Sequence, residues 1–344
     1  MMKKIDIKDL SKKELEDALE KLGARRYRAA QVWSWLYKRG AGSFDKMSDL
    51  PEDLRRKLKE AFHITRLVLL DSRRSSADGT VKYLFKLEDG NTIETVFIPE
   101  GRRGTICLSS QVGCKFRCSF CASAPFGFVR NLRASEIIDE VLSVKEKNPL
   151  PGLTNLVFMG IGEPLDNYAN LMKAVRVLND KDAFGIGARK ITISTCGMIP
   201  KIKKLEEEGI QVELSVSLHS ADDRVRSGLV PINTKYPLAE LIDTCREYTA
   251  VTGRIVTFEY VLLKGINSSE DDALKLVSLL KGLNCKVNTI AYNQIKAKGF
   301  EPPSAREIKL FIETLKAGSV QVTHRKSKGE DIDAGCGQLR IARM

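Results

Sequence analysis

The sequence predicts an α/β protein. Its core would be an open, partial (βα)6 barrel, preceded by a small N-terminal helical domain and a β-meander linker. Three observations predict this. Apolar residues recur at helical spacing through residues 1–62, short strand-like runs fill 63–103, and strand-like and helical stretches alternate from 104 onward. Repeated strand–helix units imply a parallel sheet with helices outside, because parallel strands need crossover connections. Six units are too few to close an eight-fold barrel.

Each element has a local reason. "SKKELEDALEKLG" begins with Ser11 and has Glu14 three residues on, a capping-box pattern, and it closes on Gly23. "YRAAQVWSWLYKRG" places Ala30, Trp33 and Leu36 at helical spacing, with Gly40 at its end. A third helix starts around Pro51. The spacing of Trp33 and Trp35 favours the core for one or both over base stacking. The runs "TRLVLLDSRRS", "TVKYLFKLEDG" and "NTIETVFIPE" are broken by "ADG" and "EDGN" turns, the pattern of an antiparallel meander. Beyond it, the strands are "TICLSS", "NLVFMG", "KITIST", "VELSVSLH", "TFEYVLL" and "VNTIAY", with a seventh run, "SVQVTHR", ahead of the tail. Polar motifs "MGIGEP", "STCG" and "SLHS" fall at strand C-terminal ends, where such folds build their sites.

The composition bounds the function. Of 344 residues, 43% are hydrophobic and 29% charged, enough apolar material for a sizeable core. No stretch approaches the roughly 18 apolar residues of a membrane span, and the charged start leaves no room for a signal-peptide core. A cytoplasmic protein with no membrane partner is expected. The net charge of +12 gathers in clusters, "RRYR" at 25–28, "RRKLK" at 55–59, "RR" at 102–103 and "RKSK" at 325–328, a footprint of phosphate binding.

Of the eight cysteines, Cys114, Cys118 and Cys121 stand as C-x3-C-x2-C directly after the first strand of the α/β region. Three thiolates on one loop can hold three irons of a [4Fe–4S] cluster and leave the fourth iron open. A structural zinc would need a fourth protein ligand, for which Cys107 could be proposed. Cys196, Cys245 and Cys285 carry no motif and are expected as small core residues. Cys336 stands between Gly335 and Gly337 near the end of the chain, on what the glycines suggest is a mobile backbone.

The cysteine spacing is the signature of radical S-adenosylmethionine (SAM) enzymes. Together with "GFVRNL", "FMGIGEPLDNY", "ITISTCG", "SVSLHS", "VPIN", "YVLLKGIN", "GEDIDAGCGQL" and "IETVFIPE", it resembles the RlmN family of RNA adenine-C2 methyltransferases over about residues 20–340. The resemblance implies a radical SAM barrel over 104–324 and a tail, 325–344, carrying a methyl-carrier cysteine. Cys114, Cys118 and Cys121 would ligate the cluster. Gly162, Glu163, Ser194, Ser217, Leu218, His219 and Asn293 match SAM-contacting positions. Cys336 matches the cysteine that is methylated, Cys107 its resolving partner in a transient disulfide, and Glu94 the proton acceptor. Three places depart from the family pattern: "ASAP" after Cys121, "IAYNQ" around Asn293, and His324.

The same resemblance implies two SAM molecules per turnover, an adenosine in the peptidyl-transferase region of 23S rRNA as substrate, and in many members the adenosine beside the anticodon of tRNA. It also implies an electron donor such as flavodoxin or ferredoxin, and a monomer. Two rivals are carried forward: a Cfr-type enzyme methylating C8 of that rRNA adenosine, and a zinc-stapled RNA-binding protein without catalysis.

Overall fold

The structure, a computed structural model, describes residues 4–148, 153–295 and 298–339. The last residues of the tail, 340–344, lie outside it.

The N-terminal module is helical, as its periodicity predicts. Strand β1 (Ile5–Asp6) leads to α1 (Lys12–Lys21), α2 (Arg28–Tyr37) and α3 (Glu52–Ala61), and β2 (Phe62–His63) returns to pair in parallel with β1. Ser11 and Glu14 form the predicted capping box. Leu15, Leu19, Val32, Leu36 and Leu58 bury one face of each helix together. Trp33 is core, whereas Trp35 is half-buried, with the Arg39 guanidinium 4.1 Å from its ring centre. The module is locked to the rest of the chain by a buried ion pair. Lys8 Nζ lies 2.5 Å from Asp139 Oδ1, and both side chains are inaccessible to water.

Strands β3 (Val68–Arg74), β4 (Val81–Lys86), β5 (Thr92–Glu100) and β6 (Arg103–Cys107) run antiparallel to one another. A small hairpin, β7 (Gln111–Gly113) with β8 (Phe128–Asn131), brackets the cysteine loop. Strands β9 (Leu153–Phe158), β10 (Ile191–Thr195), β11 (Glu213–Ser217), β12 (Val256–Leu262), β13 (Cys285–Ala291) and β14 (Gln321–Arg325) then follow. Helices α4 (Ala134–Lys147), α5 (Tyr168–Asn179), α6 (Ile199–Glu206), α7 (Asp223–Leu229), α8 (Leu238–Thr252), α9 (Glu270–Leu280) and α10 (Ala305–Ala317) alternate with them.

One ten-stranded sheet results, in the order β14-β13-β12-β11-β10-β9-β6-β5-β4-β3. From β6 to β14 neighbours are parallel, and β14, the "SVQVTHR" run, adds a seventh parallel strand to the six predicted. Among the described residues nothing pairs with the outer sides of β14 and β3, so the barrel is open. The meander does not hang between two bodies: β5 hydrogen-bonds along β6 and extends the same sheet. Ile106, Leu156, Ile191, Ile193, Leu214, Val216 and Val256 are fully buried under the helices. The motif loops leave β9, β10 and β11 at their C-terminal ends, side by side. Among the described residues, no helix is long and apolar enough to cross a membrane.

Candidate active site at the strand ends

The strand ends line an open cleft, about 1050 Å³ of space counted out into solvent, with Cys114, Cys118 and Cys121 on one side and the loops after β9, β10 and β11 on the other. The cysteine loop is pinned from several directions. Cys114 N–H donates to Gly127 O (2.8 Å), Ser119 N–H to Leu229 O (3.0 Å) and Ala122 N–H to Gly337 O (2.7 Å). Burial pushes the Cys114 thiol up to about 12 and the Cys118 thiol well above its ordinary value. These thiols therefore stay protonated near neutral pH until a metal centre takes the proton's place.

Cys107 is not on that wall. It packs with Val96, Ile161, Ala334 and Leu339 in a separate apolar cluster. Among the described residues no three His, Cys, Asp or Glu side chains converge closely enough to hold a single metal ion. A mononuclear zinc site with Cys107 as fourth ligand is thus not formed. Three thiols on one loop and no fourth protein ligand suit a cluster, which holds its ligands further apart and keeps one iron free.

The "MGIGEP" loop explains its glycines. A Cβ on Gly160 would lie 2.6 Å from Leu108 O, so the loop can pass the backbone that follows β6 only without a side chain. Gly162 adopts φ +105°, and a Cβ there would lie 2.6 Å from Gln111 Cβ. Gln111 buttresses the loop: its Oε1 accepts from Glu163 N–H (2.9 Å), and its Nε2 donates to Asn131 and Asp166, each at 2.8 Å. Glu163 is buried on the cleft wall, where its carboxylate accepts from Cys196 N–H (2.7 Å) and Leu165 N–H (3.1 Å). Burial raises its pKa, and the two backbone donors pull it partly back.

Ser194 and Ser217 line the cleft from β10 and β11. Leu218 does not: its side chain lies fully in the main core, because alternation along the strand turns it away. Only its backbone faces its neighbours, with N–H donating to Glu259 O and C=O accepting from Arg226. His219 is a built-in feature of the wall. It is buried, holds φ +59°, and its Nδ1 accepts from Val261 N–H (3.1 Å), so Nε2 carries the ring proton. Its ring stands edge-to-face on Phe120, centroids 4.6 Å apart. Asn293 does not line the cleft but supports it, its Nδ2 donating to Cys336 O (3.2 Å). Its Oδ1 is buried without a partner among the described residues.

The tail is docked, not loose. Gly329 N–H donates to Asp78 (3.0 Å), Ser76 N–H to Asp331 (3.1 Å), Lys82 Nζ to Asp333 O (3.0 Å) and Ser123 Oγ to Leu339 O (2.7 Å). The glycines beside Cys336 have fixed structural reasons, one steric and one conformational. A Cβ on Gly335 would meet Asn293 Nδ2 at 2.5 Å, and Gly337 holds φ +80°. Cys336 itself is exposed to the cleft, although the protein around its sulfur desolvates it and raises its pKa, with Arg325 opposing.

Cys107 lies close enough for Cys336 to act on its ionisation: burial raises the Cys107 pKa first, and the charge of Cys336 raises it further. Both are free thiols. Glu94 joins this corner through Lys82, whose Nζ lies 3.3 Å from Glu94 Oε1 and also reaches the tail. Glu94 and Val96 share one face of β5, and Val96 stands opposite Cys107 in the β5–β6 register.

Sequence reasoning missed several contributors. Cys196 is buried in an apolar cluster, as expected, but it also lines the cleft beside Glu163. Gln111 and Glu259 also line or support the cleft without belonging to a recognised motif. Arg226, on the short helix α7, is fully buried behind the wall. The Asp222 N-cap was the signal that could have located α7.

An open parallel sheet, with a three-thiol loop facing a glycine–glutamate loop across one cleft at its strand ends, defines a radical SAM enzyme, which works with a [4Fe–4S] cluster and SAM. The radical SAM superfamily profile matches residues 108–277, and the profile described as the ribosomal RNA large subunit methyltransferase N-terminal domain matches residues 5–64. A "probable dual-specificity RNA methyltransferase RlmN" of Thermoanaerobacter sp. (strain X514) is 44% identical over 97% of each chain. One from Pelotomaculum thermopropionicum is 45% identical, over 98% of this chain and 92% of its own. A crystal structure of a radical SAM methyltransferase from Sphaerobacter thermophilus superposes with a TM-score of 0.93 at 44% identity, covering 97% of this chain and 99% of that one. The chain belongs to the RlmN family of radical SAM RNA methyltransferases.

Proposed function

We propose that this chain methylates C2 of an adenosine in the peptidyl-transferase region of 23S rRNA, and the adenosine beside the anticodon of tRNA, through an S-methylated Cys336. The observation that carries the reading is the corner where Glu94, Cys107 and the docked Cys336 segment meet beside a cleft of SAM-binding character. The relatives' printed description as dual-specificity RNA methyltransferases supports two RNA classes.

In this reading Cys114, Cys118 and Cys121 hold the cluster. Gly162 and Glu163 meet the SAM amino group, Ser194, Ser217 and His219 complete the wall against SAM, and Leu218 and Asn293 support that wall from behind. When bound, the cluster and two successive SAM molecules supply a methyl group and a hydrogen-abstracting radical. The carbon C2 of adenine is not nucleophilic, so Cys336 carries the methyl first. After hydrogen loss from that S-methyl group, its carbon joins C2 and links RNA to protein. Glu94 would accept the C2 proton while the odd electron of the adduct returns to the redox centre that supplied it. The Cys107 thiolate would then attack Cys336 sulfur and break the sulfur–carbon bond; the departing methylene carbon takes up a proton to become the methyl group of the released adenosine, and a Cys107–Cys336 disulfide remains.

Residues 1–62 and the basic clusters would grip RNA phosphates, with 63–103 linking to the barrel at 104–324 and the tail at 325–344 delivering the carrier cysteine. The target base leaves its stack to reach the cleft. A flavodoxin or ferredoxin supplies electrons, and the chain acts as a cytoplasmic monomer.

The test is nucleoside mass spectrometry of RNA treated with the reconstituted enzyme. Expected is 2-methyladenosine; 8-methyladenosine would place the chain with the C8 enzymes instead. Cys336→Ala should abolish methylation yet still cleave SAM, and Cys107→Ala should trap a covalent protein–RNA adduct. Normal methylation by Cys336→Ala would refute the covalent route.

A further inference from the structure

Among the described residues, Arg226 is the largest charged side chain wholly withdrawn from water. Its guanidinium donates to four oxygens, none of them a carboxylate. These are Leu218 O (3.1 Å), Ser217 O (3.0 Å), Cys196 O (2.9 Å) and Asn233 Oδ1. Asp223, the carboxylate that acts on its ionisation, is held one group away, where its Oδ1 accepts from Asn233 Nδ2 (2.9 Å) and Leu238 N–H (2.8 Å). Asn233, the asparagine of "VPIN", is thus interposed between cation and carboxylate.

A buried cation offset only by neutral dipoles is costly, and removing the carboxylate from direct contact raises that cost. The other ionisable groups near Arg226 are thiols: Cys196, the cluster-loop Cys118, and Cys245. The connection to the loop is also mechanical. Ser119 N–H donates to Leu229 O at the end of α7, and Leu229 and Val230 pack with Phe120, Cys196 and Cys118. Gly197 makes the approach possible, since a Cβ there would lie 3.3 Å from an Arg226 nitrogen and 3.1 Å from Leu241. Arg226 does not line the cleft; it stands behind the wall formed by Cys196 and Ser217.

We propose that Arg226 is the fixed counter-charge of the iron–sulfur centre, favouring its reduced form from behind the cleft wall while its fork ties the ends of β10 and β11 together. The inference rests on the radical SAM reading of the cleft. Each electron added makes a thiolate-held centre more negative, so a fixed cation nearby stabilises the reduced state more than the oxidised one. No exposed cation would act as strongly, because water would screen it.

The experiment is an anaerobic redox titration of the cluster-loaded protein, followed by electron paramagnetic resonance. In Arg226→Gln the ratio of reduced to oxidised cluster at a fixed potential should fall at least tenfold, which is about 59 mV for one electron. Arg226→Lys keeps the charge and loses the fork, and should stay within about threefold of the wild type. A purely structural role would lower cluster occupancy or thermal stability in both variants and leave both titrating at the wild-type potential; that result overturns the proposal. Should Arg226→Gln not fold, Asp223→Asn retains an acceptor for Asn233 and Leu238 and removes an opposing charge. The reduced fraction should then rise, by about twofold given the exposure of Asp223; no rise overturns the proposal. Failure of the radical SAM reading would look different, as a wild-type protein that takes up no reducible cluster.

Discussion

Acid should unfold this protein through His219 before most of its carboxylates matter. Burial first, and the Arg226 charge second, pull the folded-state pKa of His219 down to about 3, against 6.5 when the chain is unfolded. A depressed histidine contributes its stability fully above the unfolded pKa and loses it as pH falls from 6.5 towards 3, because the unfolded chain binds the proton first. At about pH 5 the difference of roughly 1.5 units below the unfolded pKa corresponds to a loss of about 2 kcal/mol. His219→Asn is the matching perturbation. Asparagine tolerates the left-handed φ of +59°, and its amide oxygen can accept from Val261 N–H in place of Nδ1. Urea unfolding of cluster-free wild type and variant, at about pH 7.5 and about pH 5, gives the double difference in which other groups cancel. The wild type should lose about 2 kcal/mol more than the variant on acidification. Parallel losses would refute the argument that this ring is held neutral by its surroundings.

Two further outcomes follow from single contacts. Gly162→Ala puts a Cβ 2.6 Å from Gln111 Cβ at φ +105°, so it should cost about 2–4 kcal/mol by denaturant unfolding and weaken SAM binding at least tenfold by calorimetry; unchanged binding would show that the loop relaxes. Lys8→Ala leaves the Asp139 carboxylate buried without its cation, and thermal denaturation should register a loss of about 3–5 kcal/mol, whereas a shift equivalent to under about 1 kcal/mol would mean that the ion pair is not what fastens the helical module.

Much of the fold was legible because its signals are local. The Ser11–Glu14 cap, the "ADG" and "EDGN" turns and the alternation of β6 to β14 each depend on a few adjacent residues. The cysteine loop and "GIGEP" were legible for the same reason. Other features depend on partners far along the chain. The docking of the tail uses Ser76, Asp78, Lys82 and Ser123, all more than 200 residues earlier, so Gly335 and Gly337 read as flexible when the first is required by close approach and the second by its left-handed backbone. Leu218 sits inside a motif of polar neighbours, yet strand alternation sends its side chain to the core. Helix α10 went unread between a proline pair and the last strand, although Ser304 and Glu307 cap it as clearly as Ser11 and Glu14 cap α1. Arg226 was invisible because nothing local marks a charge whose partners are carbonyls on three loops.

The pairing of β5 with β6 has a consequence for how the chemistry can be timed. Glu94 and Cys107 are carried by adjacent strands locked rung to rung, Val96 against Cys107. Their separation is set by the pitch of a ladder and cannot be tuned by a side-chain swing. In the proposed reading, the base and the resolving sulfur would therefore be held at a fixed backbone spacing, to which the docked Cys336 segment has to be matched. A slip of one residue between the two strands would put Glu94 and Cys107 on opposite faces of the sheet, so their meeting is calibrated by a backbone ruler.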